Sequence, residues 1–224
     1  MLNFIDISSH QGRAGMDLSK VLPGLGAIMV KATEGTGYVN PYCDGWVQTA
    51  KKLGKPWGFY HFARNNNAEK EAEYFYRNCK NYFNDGIPVL DWEVGQTVAW
   101  VNAFVRKLHE LSGIWCWIYA NPWRFNQGGV EKNCGRWVAQ YPKGVNAFDT
   151  AAKRKPQKTD GLVCAWQFTS TGRVNGFNGN LDCNLFYGDE KAWNAYAGKR
   201  VSTPVENHET VLENNEYKVT IERK

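Results

Sequence analysis

The chain has 224 residues, a formal net charge of +5 and 43% hydrophobic residues, which suits one large domain, or a domain plus a tail, with an ordinary soluble-protein core. The charge is small and forms no basic run interleaved with aromatics, so nucleic acid is not an expected partner, and no apolar run is long enough to span a membrane. The six cysteines, at 43, 79, 116, 134, 164 and 183, include no C-x-x-C pair, which leaves a zinc ribbon and a small-domain disulfide framework unsupported.

The chain opens Met1-Leu2-Asn3-Phe4-Ile5-Asp6-Ile7-Ser8, without a basic n-region, apolar h-region or cleavage site. The expectation is cytoplasmic synthesis without a secretory signal, with reduced thiols packed as small core residues. Phe4 to Ser8 reads as a first strand, in which Asp6 points away from Ile5 and Ile7. Gly12 to Gly15 reads as a loop, and Asp17 to Val21 as a short helix closed by Pro23. Ala27 to Ala32 is the second strand. It runs into Thr33-Glu34-Gly35-Thr36-Gly37-Tyr38, a Gly-rich loop that lacks the pattern of a phosphate cradle. Residues 41–53 form a helix with Gly54 as its cap. Trp57 to Phe62 is the third strand, and Ala72, Phe75, Tyr76, Cys79 and Phe83 mark a helix over 68–83.

The fourth strand is Ile87-Pro88-Val89-Leu90-Asp91-Trp92-Glu93. Alternation places Asp91 and Glu93 on one face with Ile87 and Val89, and Leu90 and Trp92 on the other. Both faces are apolar, as in a parallel sheet covered by helices. Two carboxylates roughly 7 Å apart on one strand face repel each other. Partial burial adds to that repulsion, so at least one pKa should rise. A neutral acid beside an ionised one is what glycoside hydrolysis needs.

Beyond it, Val98, Val101, Val105, Leu108 and Leu111 give a helix ending at Gly113. Ile114 to Tyr119 and Arg136 to Tyr141 are strands, with a helix start at Asn121-Pro122 between them. Residues 142–161 read as a polar loop. Val163 to Thr169 and Leu181 to Phe186 are the last strands, joined by glycine turns rather than a helix, and Asn180, Asp182 and Asn184 share one face of the latter. Eight strands with early helices and stunted late ones predict an α/β protein close to a (β/α)₈ barrel over residues 1–200. An open doubly wound sheet is the alternative.

Residues 201–224 form a linker and tail. Thr210 to Glu213 and Glu216 to Ile221 alternate around Asn214-Asn215, a β-hairpin pattern. A lone hairpin is marginal, so the tail is expected to dock on the barrel, a neighbouring subunit or a further domain, and to contribute to oligomerisation or wall attachment.

Strand ends on this plan bring together Asp6, Asp91, Glu93 and Asp182. A divalent-metal site competes as a reading of four acids, but no His accompanies them at metal-ligand spacing, so neither metal nor cofactor is expected. His61 reads as a buried, hydrogen-bonded residue of an aromatic strand. No G-x-S-x-G and no cysteine nucleophile motif supports acyl transfer.

Several segments together resemble the successive blocks of glycoside hydrolase family 25, the Chalaropsis-type lysozymes common among phage endolysins. They are Asp6-Ile7-Ser8, Val30 to Tyr38, Gly58 to Arg64, Leu90-Asp91-Trp92-Glu93, Trp137 to Tyr141, Trp166 to Gly172 and Leu181-Asp182-Cys183-Asn184. The resemblance covers about residues 2–190. It implies an irregular TIM-like barrel and cleavage of the β-1,4 bond between N-acetylmuramic acid and N-acetylglucosamine in peptidoglycan. It also implies Glu93 as general acid/base, supported by Asp6, Asp91 and Asp182, with Tyr60, Tyr119 and Gln167 lining the sugar groove. Glu34 falls in a family block without a settled role, and Trp92 replaces a smaller apolar residue on the helix-facing side. On that reading Glu93 is neutral, Asp91 stays ionised, and the enzyme reaches the wall after cell lysis or through a holin. The rivals are a non-catalytic peptidoglycan-binding module on an inactive barrel, and a chitinase-like endoglycosidase. The latter fits poorly, because Gly86 and Val89 stand where a D-x-x-D-x-D-x-E pattern has acids.

Overall fold

The computed structural model describes residues 1–199 and, in the tail, the backbone of Thr210–Glu213 and Lys218–Ile221. Nine strands make the main sheet: β1 (Leu2–Ile7), β2 (Ala27–Glu34), β3 (Tyr38–Val39), β4 (Trp57–Phe62), β5 (Ile87–Asp91), β6 (Trp117–Ala120), β7 (Arg136–Ala139), β8 (Val163–Gly172) and β9 (Leu181–Phe186). β1 pairs with both β2 and β9, so eight of them close a barrel, and β3 folds back on the end of β2.

Six barrel pairings are parallel, and the two that involve β9 are antiparallel. The reversal of β9 was not legible as a direction in the sequence, but its cause is. The glycine turns between β8 and β9 are too short for a crossover helix, and without a crossover the chain can only return antiparallel. The reversal brings Asp182, at the start of β9, opposite Asp6, near the end of β1.

Among the described residues eight α-helices lie around the sheet: α1 (Ser9–Arg13), α2 (Leu18–Val21), α3 (Cys43–Lys52), α4 (Ala68–Cys79), α5 (Val98–Ser112), α6 (Pro122–Phe125), α7 (Phe148–Ala151) and α8 (Glu190–Tyr196). Their starts follow local capping chemistry. Asn67, Thr97 and Asn121 accept backbone N–H bonds at the first turns of α4, α5 and α6. Gly113 closes α5 in the left-handed conformation, φ 72°, which glycine adopts without Cβ strain.

Two expected loops contain helices. Ser8 and Gln11 form a reciprocal capping box that starts α1 where residues 12–15 read as a loop. The stretch 142–161 holds α7, whose Phe148 packs edge-on against Phe168. In the tail, Thr210–Glu213 pairs antiparallel with Lys218–Ile221, and Glu213 opposes Lys218. That register puts four residues between the strands rather than two, and Asn214-Asn215 and the linker at 201–207 lie outside the described residues.

The core has two compartments, as the strand alternation dictates. Ile5, Ile7, Phe59, Leu90, Trp92 and Ile118 face the helices, and Phe4, Met29, Ile87, Val89, Trp117 and Trp137 fill the barrel. α8 plugs the barrel's N-terminal end. Its Trp193 is fully buried against Phe4, Trp117 and Phe186, and its indole N–H donates to the Trp57 carbonyl at 3.0 Å. With the bottom filled by aromatics, the opening lies at the other end. All six cysteines are buried and free. Among the described residues no helix is long and apolar enough to cross a membrane.

Candidate active site

The barrel opens at the C-terminal ends of its parallel strands into a cleft of about 270 Å³. Asp6, Asp91, Glu93 and Asp182 all line it, with Tyr60, Tyr119 and Gln167 beside them. Register explains the convergence. Asp91 sits across from Phe62 of β4 and Tyr119 of β6, and Asp6 sits directly opposite Asp182, a spacing of about 5 Å between Cβ atoms on one face.

Asp6 is the best-anchored acid. Its Oδ1 accepts from Gln167 Nε2 and from Asn184 Nδ2, both at 2.8 Å. Gln167 is itself held at Oε1 by the Tyr119 hydroxyl at 2.7 Å and by the Tyr141 hydroxyl. Asn184 is held by the Trp137 indole N–H at 2.9 Å. Two chains of donors thus end on one carboxyl oxygen, which fixes the Asp6 rotamer.

Asp91 is buried, and among the described residues its Oδ1 has no hydrogen-bond partner. Glu93 lies two residues beyond the end of β5 and is open to solvent at the mouth.

Electrostatics favour shared protons. Burial pushes the Asp6 carboxyl well above the usual carboxylate range, and the Asp182 charge adds to it, against the hydrogen bonds from Asn184 and Gln167. Burial pushes Asp91 well up too, helped by the charges of Glu93 and Asp6. Asp182 rises to about 6 through burial and then Glu93. The cleft walls raise Glu93, while Arg124 and Lys31 pull it back. Protons on such a cluster belong to the set rather than to one residue. In the unliganded site the pressure to be neutral falls hardest on Asp6 and Asp91, not on Glu93. This differs from the expected pairing of a neutral Glu93 with an ionised Asp91. The physical reason is that Glu93 lies beyond the strand in solvent near a guanidinium, whereas Asp91 lies inside the barrel.

Glu34 does not line the cleft. It bridges Lys31 at 2.5 Å and Arg64 at 2.6 Å. Partial burial works to raise its carboxyl, but the bonds from Lys31 and Arg64 outweigh that and hold it below the usual range. Its part is to hold Lys31, which does line the cleft and stands 4.6 Å from the centre of the Phe62 ring. His61 lies outside the cleft, bonded to Thr33 and Glu71 at 2.8 and 2.9 Å, and burial lowers its pKa.

The cleft also contains Ser8, His10, Lys31, Phe62, Trp137 and Tyr141, none of which the sequence reading singled out for it. Parity offered a signal for five of them. Ser8 shares its strand face with Asp6, Lys31 with Met29, Phe62 with Tyr60, and Tyr141 with Trp137 two strand steps earlier. For His10, set on a connection, there was none. Among the described residues no group of three His, Cys, Asp or Glu side chains is arranged to hold a metal ion. A cleft with paired carboxyls, one oxygen without a partner, and walls of Tyr, Trp and Phe can donate a proton, stabilise a developing cation and stack on sugar faces.

The sequence profile of Glycosyl hydrolases family 25 matches residues 5–177. The autolytic lysozyme of Clostridium acetobutylicum is 30% identical over 189 residues, which cover 81% of this chain and 55% of that protein. Lysozyme M1 of Streptomyces globisporus is 31% identical over 206 residues, covering 82% of this chain and 67% of that protein. The chain therefore spans about half the length of the clostridial relative. The crystal structure of the bacterial lysozyme from Streptomyces coelicolor superposes with a TM-score of 0.74 at 26% identity, covering 88% of this chain and 97% of that one.

Proposed function

The chain belongs to family 25 of the glycosyl hydrolases, and from that premise we propose that it is a muramidase cutting the β-1,4 bond between N-acetylmuramic acid and N-acetylglucosamine in peptidoglycan. The observation that carries this reading is the pairing of a solvent-open Glu93 with a buried Asp91 whose Oδ1 lacks a partner, in one cleft with Asp6 and Asp182.

Glu93 is the proton donor in this proposal. It stands where a leaving glycosidic oxygen can reach it, and its raised pKa keeps some of it protonated at mildly acidic pH. Asp91 takes the acetamido N–H of the muramyl unit on its free oxygen. A carboxyl whose pKa is pushed up is a better acceptor as that N–H acidifies. The acetamido oxygen then attacks C1, the C1–O bond breaks, and the departing oxygen takes the Glu93 proton. Water opens the ring-fused intermediate, returning a proton to Glu93. This is the substrate-assisted variant of the two-carboxylate scheme. Asp6 and Asp182 act as a pair that fixes the floor of the site, and the tyrosines stay neutral because burial, then the surrounding acids, raise them.

Digestion of purified peptidoglycan with identification of the new reducing ends tests the proposal. Muramic acid ends are expected, and glucosamine ends would replace it with the other bond. E93Q should keep the fold and lose about 10²–10⁴-fold in rate; an active E93Q protein ends the assignment. A module that only binds wall would release no ends at all.

A further inference from the structure

Glu93 has a problem of support. β5 ends at Asp91, so the last ladder bonds, Ala63 N–H to the Asp91 carbonyl and Trp92 N–H to the Tyr119 carbonyl, stop short of it. The residue that does the chemistry in the reading above stands on irregular backbone, where an error of one ångström costs about a hundredfold in rate. One side chain compensates. Arg124 of α6 donates from Nη2 to the Glu93 carbonyl at 2.7 Å, and its guanidinium lies 5.2 Å from the centre of the Trp92 ring. Arg124 is fixed in turn at the start of α6, where its backbone N–H donates to the Asn121 side chain at 3.1 Å. Trp92 is held on all sides: it is fully buried, its indole N–H donates to the Gln96 carbonyl at 2.9 Å, and its ring meets Phe125 edge-on.

We propose that Arg124 is a positioning residue for Glu93. Its guanidinium brackets the Trp92-Glu93 backbone from the β6–α6 connection and sets both the stance and the acidity of the Glu93 carboxyl. This inference rests on the reading of Glu93 as the acid. A planar guanidinium can stack on the indole and bond the next carbonyl at once, which a lysine ammonium cannot. The same charge favours ionised Glu93, and the coupling is reciprocal: Arg124 lowers the Glu93 pKa, and Glu93 in turn acts to raise that of Arg124. The other charged groups facing the cleft are Asp6, His10, Lys31, Asp91 and Asp182; Asp91 and Asp182 feel the Glu93 charge, so Glu93 itself is followed by NMR.

The experiment compares R124Q and R124K with the parent on soluble glycan fragments across pH, with carboxyl-carbon NMR titration of Glu93 in each folded protein. R124Q should lose about tenfold in kcat with KM nearly unchanged, the rate equivalent of one charge-assisted hydrogen bond. Its alkaline limb should move to higher pH, because Glu93 without the neighbouring cation holds its proton longer, and the NMR titration should move the same way. R124K restores the limb but not kcat. A merely structural arginine would change thermal stability and leave both the limb and the NMR titration in place, and that result overturns the inference. Failure of the muramidase reading is separate: it shows as full activity in E93Q, and the NMR titration of R124Q still reports whether Arg124 governs Glu93.

Discussion

Replacing Asp182 by Asn should make the protein more stable and less active. Among the described residues no side chain donates to the Asp182 carboxyl, which faces Asp6 across the β1–β9 pair. Its pKa rises from 3.8 to about 6, through burial first and the Glu93 charge second. A folded-state pKa above the unfolded one means that the native protein binds the extra proton. Stability therefore falls as pH rises between the two values. The penalty is absent below about 4 and complete above about 6. At about 1.4 kcal/mol for each tenfold change in acidity, the upper bound is about 3 kcal/mol. Asp182 is partly open to solvent, and screening brings the expected gain for D182N to about 1–2 kcal/mol at pH 7. Relief of Asp6, which the same charge pushes upward, works in the same direction. Urea unfolding of parent and variant at pH 7.5, 6 and 4 measures this (three conditions chosen around the values above). The gain should be largest at the first pH and fade at the last, while turnover on wall fragments drops. A D182N protein that is less stable at neutral pH, or equally more stable at every pH, would refute the account of a cleft strained by its own charges.

Other expectations follow from buried contacts. N184A removes one donor from Asp6 and the acceptor of the Trp137 indole, both inside the barrel. Urea unfolding should show a loss of about 1–3 kcal/mol from the orphaned indole N–H, and activity should fall because Asp6 keeps only the Gln167 donor. W193A takes the plug from the barrel's closed end and should cost about 3–5 kcal/mol in the same assay, with the cleft chemistry spared in whatever fraction stays folded. The six cysteines, buried and free, should ignore a thiol reagent in the native protein and react together on denaturation; burial raises the thiols at 43, 79, 116, 164 and 183 as well.

The sequence by itself determined the eight barrel strands and their inward and outward faces, though not the short β3 nor the end of β5 before Glu93. Each strand or face so determined is a period-2 or period-3.6 property of a short stretch. Asp6 alternates with Ile5 and Ile7, and Asp91 alternates with Leu90 and Trp92, whatever the rest of the chain does. The separation of Phe4 and Val89 from Ile5 and Leu90 into two core compartments follows from that alternation alone. Short capping signals such as Ser8 with Gln11 are equally present in the sequence, and they start a helix ahead of the glycines at 12 and 15.

Tertiary structure decided what no single stretch carries. The direction of β9 places Asp182 across from Asp6 rather than at the far end of the barrel. The exit of the chain from β5 leaves Glu93 in solvent and Asp91 inside, so burial presses hardest on the residue expected to stay ionised. The bridge from Glu34 to Arg64, and the reach of Arg124 to the Glu93 carbonyl, join residues about thirty positions apart. Desolvation and charge coupling depend on three-dimensional distance, and distance between strands is set by closure of the whole barrel.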